Sequence, residues 1–161
     1  MSVAIALTVP LEQRFEIMRA LVWQGADERI VADWAQDLVE GVQPRDWVEQ
    51  LTLAVQRLPI TIDPPTRDVY QSALETLAKG GDCASKSILL AAALISVFRR
   101  AGIYLSVAIV WEHSGGAFDH VRLAVSTPFT PHVWTLVDSI GKGLGVRGVS
   151  WQPLWRQFVV L

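Results

Sequence analysis

The segment of residues 83–100 gives the strongest helix signal in the sequence, and it is the feature that most limits the fold. It is rich in Ala and Leu, which favour helix, and Gly102 follows it as a typical helix end. Its uncharged apolar stretch, residues 88–98, is only 11 residues long. A membrane span needs roughly 18 such residues, so the segment predicts a helix buried in a core.

The chain before this helix is predicted to be helical as well. Residues 11–22 and 27–39 carry apolar side chains at three- and four-residue spacing, with Gly25 and Gly41 as the expected helix ends. Pro44 is expected to begin a third helix. Consecutive prolines predict an extended stretch over residues 59–65.

A short helix is predicted to begin after Ser72. Glu75 follows Ser72 by three residues, which is a capping-box pattern, and Gly80 and Gly81 end the helix. The two glycines lead directly into the long helix at residue 83.

The second half of the chain changes to a strand pattern. Residues 104–111, 120–125 and 133–137 are rich in β-branched and aromatic residues, with turn signals between them, and residues 158–161 could add an edge strand. Helices followed by strands indicate an α+β fold, with the central helix packed on a small antiparallel sheet.

Composition and charge exclude several classes of protein. The 161 residues are 51% hydrophobic and 19% charged, which is typical of a globular domain, and the formal net charge of −2 gives no reason to expect nucleic-acid or membrane binding. The N-terminus lacks the basic start and cleavage site of a secretory signal. We therefore expect a cytoplasmic protein, or one packaged in a particle assembled in the cytoplasm.

Cys83 is the one cysteine of the chain, so neither an intrachain disulfide nor a cysteine-based metal cluster is expected. It follows Asp82, a plausible N-cap, at the start of the central helix, where free N–H groups and the helix dipole stabilise a thiolate. Its own N–H could donate to an oxyanion. The alternative is a small buried side chain with no chemical role.

A thiol nucleophile needs an imidazole as proton shuttle and an acceptor that orients the imidazole. Of the three histidines, His120 begins a predicted strand after a glycine-rich turn, and Asp138 ends the next one. Neighbouring antiparallel strands could bring these side chains together. Taken singly, each also fits a plain structural role, as a half-exposed histidine and a turn aspartate.

These residues resemble the core of the transglutaminase-like superfamily, which has a papain-like fold. The resemblance runs over residues 69–143 and rests on Gly81-Asp82-Cys83, Ala101-Gly102-Ile103, His120-Val121, Trp134 and Asp138. It is most similar to compact bacterial and phage-associated members. The length of 161 residues fits one domain, and within it we expect a helical part (1–65), a transglutaminase-like core (66–145) and a C-terminal segment (146–161).

The resemblance also implies site residues. In such enzymes an upstream polar side chain usually completes the oxyanion hole, for which Gln71 is the first candidate here and Tyr70 the second. The chain departs from many relatives in having Ala84, Ser85 and Lys86 where an acidic pair follows the cysteine. His132 is rejected as the catalytic histidine because only six positions separate it from Asp138.

Two functions remain open from the sequence. The first is a cysteine peptidase, amidase or acyl-transfer enzyme with a Cys83–His120–Asp138 triad, a protein or peptide substrate and no metal or organic cofactor. The second is a non-catalytic structural or adaptor protein, such as a component of a phage or prophage particle. Trp151 and Trp155 could form an exposed patch for such an assembly partner.

Overall fold

A computed structural model describes residues 2–113, 119–141, 146–147 and 155–161, and for residues 113, 146–147 and 155–159 it describes the backbone. Its helices are α1 (Leu11–Asp27), α2 (Arg29–Val39), a short 3₁₀ helix (Pro44–Asp46), α3 (Trp47–Gln56), α4 (Ala73–Lys79) and α5 (Cys83–Ala101). Its strands are β1 (Val3–Ala6), β2 (Arg67–Tyr70), β3 (Ser106–His113), β4 (Asp119–Ser126), β5 (Thr135–Val137), β6 (Val146–Arg147) and β7 (Trp155–Val160).

The strands form two antiparallel sheets. β1 pairs with β2, and the larger sheet has the order β6-β5-β4-β3-β7. The predicted α+β class is confirmed, and the strand expected at residues 158–161 is seen as β7 at the sheet edge. β4 lies between β3 and β5, which places the strand of His120 beside the one that leads to Asp138.

Helix α5 is the centre of the core, as the sequence predicts. Every residue of α5 from Ala84 to Phe98 is buried, and α1, α2, α3 and α4 all pack against it together with the sheet. Val107, Ile109 and Trp111 of β3 belong to the same apolar cluster as α5. Alternate residues of that strand, Ala108 and Val110, form a smaller cluster with Ala124 and Leu136 of the neighbouring strands, because successive side chains of a strand point to opposite faces.

The caps predicted from sequence are present. The Ser72 side chain accepts a hydrogen bond from the N–H of Glu75 at 3.2 Å, which confirms the capping box at α4. Asp82 caps α5 by accepting from the N–H of Ser85 at 2.8 Å. These caps fix the turn that leads from α4 to Cys83.

The prediction that Gly25 ends a helix is wrong. Gly25 lies inside α1, where a Cβ atom would come within 2.5 Å of the Ala73 Cβ and 3.0 Å of the Ala92 Cβ. The glycine therefore serves the close approach of α1 to α4 and α5 and does not end the helix. Trp23, two residues before it on α1, is 39% exposed.

In the part of the chain that the structure describes, no helix combines the length and the apolar character required to cross a bilayer. α5 comes closest in length with 19 residues, but Arg99 and Arg100 lie in its last turn and Lys86 in its first half.

Candidate active site

Cys83 is the first residue of α5 and opens onto a cavity of about 510 Å³. Its side chain is partly buried. The first N–H groups of a helix have no partner within the helix, so the N–H of Cys83 lies at the end of α5 where donors are available.

The walls of this cavity come from four parts of the chain. They are the N-terminal segment with α1, strand β2, the start of α5, and strands β3 and β4. Besides Cys83, the lining residues are Leu7, Val9, Leu11, Arg14, Asp68, Tyr70, Asp82, Ala84, Trp111, Asp119 and Val121.

His120 and Asp138 are in hydrogen-bond contact. His120 Nε2 lies 3.1 Å from Asp138 Oδ2, and about four-fifths of each side chain is buried. The other carboxylate oxygen, Oδ1, accepts from the N–H groups of Ile140 and Gly141 at 3.0 and 3.1 Å. When Nε2 carries the proton that it donates to Asp138, Nδ1 is left as an acceptor.

The carboxyl group of Asp138 is held in its charged form. Burial acts to raise the pKa of Asp138, but the hydrogen bond and the charge of His120, the N–H of Ile140 and the charge of Arg122 outweigh burial and lower the pKa. An ionised Asp138 can orient the imidazole and stabilise it once it takes up a proton.

The start of α5 is tied to the residues that follow His120 and Asp138. The Cys83 sulfur accepts a hydrogen bond from the N–H of Val121, the residue after His120. Ser139, the residue after Asp138, donates to the carbonyl oxygen of Cys83 at 3.3 Å, and its hydroxyl lies 3.1 Å from that of Ser87. Both serines are fully buried. These contacts place the residues that follow His120 and Asp138 at the start of α5.

The expectation of a stabilised thiolate needs a correction. Burial raises the pKa of the Cys83 thiol to about 12, with the charges of Asp82 and Asp138 acting in the same direction and the N–H groups of Val121 and Ala84 against them. A raised pKa favours the neutral thiol, so attack on a carbonyl would need a base to accept its proton.

The charged form of Asp82 is disfavoured where this side chain lies. Burial raises its pKa to about 6, and the charges of Asp63 and Asp68 add to this effect, while the N–H of Ser85 opposes it. Burial likewise raises the pKa of Asp63, with which Asp82 shares a side-chain hydrogen bond. Two carboxyl groups in contact disfavour each other's charge.

The two oxyanion candidates occupy different places. Gln71 Oε1 lies 3.3 Å from the hydroxyl of Thr76, and Gln71 is absent from the cavity lining given above. Tyr70 is 1% exposed and lines the cavity with Cys83. Burial raises the pKa of Tyr70 to about 12, so the phenol keeps its proton.

Sequence reasoning missed Arg14, which is buried on α1 and lines the cavity. It forms an ion pair with Asp68, and its NH1 lies 3.3 Å from the hydroxyl of Tyr70. An arginine in a predicted amphipathic helix is ordinarily read as a solvent-facing residue. Only the pairing of distant segments reveals its place.

The sequence indicates nothing about Lys86 beyond its departure from many relatives, which have an acidic pair after the cysteine. It is fully buried, and its Nζ donates to the carbonyl oxygen of Leu58 at 2.6 Å, at the C-terminal end of α3. Burial lowers its pKa. The lysine therefore serves as an internal cap for α3. The sequence around the cysteine gives no indication of this role.

His132 is not among the residues that line the cavity. His132 is exposed and has φ +63° in a turn, in agreement with its rejection. The side chains of His113, Trp151 and Trp155 lie outside what the structure describes. Among the described residues, no group of three or more His, Cys, Asp or Glu side chains is arranged to hold a metal ion.

Comparison with known proteins decides the fold. No protein-family model matches the chain, and no curated protein does. The solved structure of calcium-bound LapG from Legionella pneumophila superposes with a TM-score of 0.56 over 89% of this chain and 83% of LapG, at 19% identity. This chain has the transglutaminase-like fold. At this identity the likeness shows the fold alone, and membership of the superfamily and a bacterial or phage-associated subtype stay predictions.

Proposed function

We propose that the chain is a cysteine-nucleophile enzyme that attacks amide or peptide carbonyls through Cys83, His120 and Asp138. The observation that carries the proposal is the hydrogen bond between His120 and Asp138, whose following residues, Val121 and Ser139, contact Cys83 at the start of α5. The transglutaminase-like cysteine protease fold shared with LapG supports an enzyme of this general class and a protein substrate.

The first half-reaction follows from the protonation states. Because the thiol is neutral, His120 Nδ1 takes the thiol proton as the sulfur attacks the carbonyl carbon. The carbonyl oxygen becomes an oxyanion that accepts from the N–H of Cys83 and from an upstream side chain. The intermediate then collapses: the C–N bond breaks, His120 protonates the leaving amine, and a thioester remains on Cys83.

The second half-reaction releases the acyl group. Water or an amine attacks the thioester, His120 accepts the proton of this nucleophile, and the thiol leaves with that proton. Water gives hydrolysis and an amine gives acyl transfer. Asp138 stays ionised throughout and holds the ring in place. Each of these steps is written with groups of the protein alone.

The test is the rate at which iodoacetamide alkylates Cys83 in the wild type and in His120→Ala. At about pH 7 we expect iodoacetamide to label Cys83 at least tenfold faster in the wild type than in His120→Ala, because His120 can accept the thiol proton. His132→Ala is the matched control, since His132 is exposed and lies in a turn away from the cavity. Equal rates in wild type and His120→Ala would refute the catalytic assignment.

A non-catalytic structural or adaptor role is the second candidate, and the high pKa of the Cys83 thiol favours it. Such a protein would keep the fold and use its surface to bind a partner, for which a phage or prophage particle and a cytoplasmic assembly remain predictions. Measured turnover of any thioester or amide by the wild type, absent in Cys83→Ser, would exclude this role.

A further inference from the structure

We propose that Arg14 is a positioning residue that directs the hydroxyl hydrogen of Tyr70 into the cavity, where Tyr70 donates to the oxyanion formed at Cys83. The inference rests on the proposed function and names the second donor that the function needs. It assigns a role to a residue of α1 that lies 69 positions before Cys83 in the chain.

The direction of the hydrogen follows from donor chemistry. A guanidinium group donates and does not accept, so the contact of 3.3 Å between Arg14 NH1 and the Tyr70 hydroxyl makes the tyrosine oxygen the acceptor. The hydrogen of Tyr70 must then point to another acceptor. Within the described part of the chain, the hydroxyl makes no second hydrogen bond, although the residue is only 1% exposed.

A buried donor without an acceptor is energetically costly. An oxygen of a bound molecule would satisfy it. Tyr70 and Cys83 line the same cavity, and we infer that this oxygen is the one that develops charge when the thiol attacks. Together with the N–H of Cys83, the Tyr70 hydroxyl gives two donors for one oxyanion, the usual number.

The guanidinium is fixed before any substrate arrives. Its Nε donates to the carbonyl oxygen of Val9 at 2.8 Å and its NH2 to that of Leu7 at 2.7 Å. NH1 is also held by the carboxylate of Asp68, and the group lies 5.6 Å from the centre of the Trp111 ring. A donor whose geometry is set in advance needs no rearrangement during the reaction, which is what makes such groups effective.

The alternative donor is Gln71. It is not among the residues that line the cavity with Cys83, whereas Tyr70 is. The raised pKa of Tyr70 supports the assignment, since a phenol that keeps its proton across the working pH range remains a donor.

Two reagents separate this role from a structural one. Acylation of Cys83 by 4-nitrophenyl acetate forms a sulfur–carbon bond, passes through an oxyanion and releases 4-nitrophenolate, with the thiol proton going to His120. Alkylation by iodoacetamide displaces iodide and forms no oxyanion. In Tyr70→Phe we expect acylation to slow by about 100-fold, the usual loss for one oxyanion donor, and alkylation to stay within about twofold of wild type.

Arg14 is tested through its dependence on Tyr70. We expect Arg14→Met to slow acylation by about tenfold in the wild-type background and to have no further effect in Tyr70→Phe, because a positioning residue acts only through its partner. Arg19→Met is the matched control, since Arg19 is an exposed arginine on the same helix. Urea unfolding of each variant separates loss of stability from loss of rate.

The outcomes are distinct. Acylation of Tyr70→Phe at the wild-type rate overturns the inference, as does an equal effect of Arg14→Met in both backgrounds. If Arg14→Met does not fold, the Tyr70→Phe comparison still decides. Insensitivity of both reactions to His120→Ala would instead overturn the proposed function itself.

Discussion

Replacing Asp82 by Asn should stabilise the protein, and only above the pH at which Asp82 ionises. Burial raises the pKa of Asp82 from 3.8 to about 6. The folded state therefore binds this proton more tightly than the unfolded chain does. The stability it gives is fully present below about pH 3.8 and is lost as the pH rises through about 6.

The size of the effect follows from the same two pKa values. At about 1.4 kcal/mol per pH unit, the charged aspartate costs about 2 to 3 kcal/mol at neutral pH. Asn keeps the N-cap bond to the N–H of Ser85, since Asn and Asp are equally good caps, and it carries no charge. The variant should therefore exceed the wild type in stability at neutral pH and match it in acid.

The assay is urea unfolding followed by circular dichroism at about pH 4 and about pH 7.5, for wild type and Asp82→Asn. The matched control is Asp37→Asn, an exposed aspartate on α2 that does not line the cavity, which should change stability little at either pH. The reasoning is refuted if Asp82→Asn is no more stable than wild type at pH 7.5, or if its gain is the same at both pH values.

Three further substitutions test the packing around the site. Arg122→Met leaves the fully buried carboxylate of Glu112 without the cation 2.9 Å away and should lower the free energy of unfolding by about 3 kcal/mol in urea, with most of it regained when Glu112→Gln is added. Gly25→Ala places a Cβ 2.5 Å from that of Ala73, so it should destabilise by about 1–2 kcal/mol despite the better helix propensity of Ala; a rise in melting temperature would contradict this. Ser72→Ala removes the α4 cap and should cost about 1 kcal/mol in the same urea assay, and no loss would show that the cap bond does not contribute.

The helices and strands could be predicted because they depend on local patterns. An apolar run of helical period with a cap in front of it and Gly102 behind it forms α5 in almost any context, and alternating β-branched residues form strands. Gly25 shows the limit of such rules. Its effect depends on how close α4 and α5 come to α1, and residue spacing within one helix carries no information about that distance.

The candidate triad could be predicted only in part. The order of Cys83, His120 and Asp138 and their places on a helix start and two strand ends are visible in the sequence, and the contact between His120 and Asp138 agrees with that reading. The ionisation of Cys83 could not be predicted. It depends on burial and on the charges of Asp82 and Asp138, and Asp138 lies more than fifty residues further along the chain.

The sequence by itself determined the α+β class and the buried central helix with its caps, and it predicted Cys83, His120 and Asp138 as candidates for thiol chemistry. The tertiary structure decided what surrounds the thiol: the neutral state of Cys83, and the cavity wall that contains Arg14 and Tyr70. The physical reason is the distance along the chain over which each interaction acts. Helix propensity and capping act over a few residues, whereas desolvation and charge–charge interactions depend on distances in space that folding alone sets.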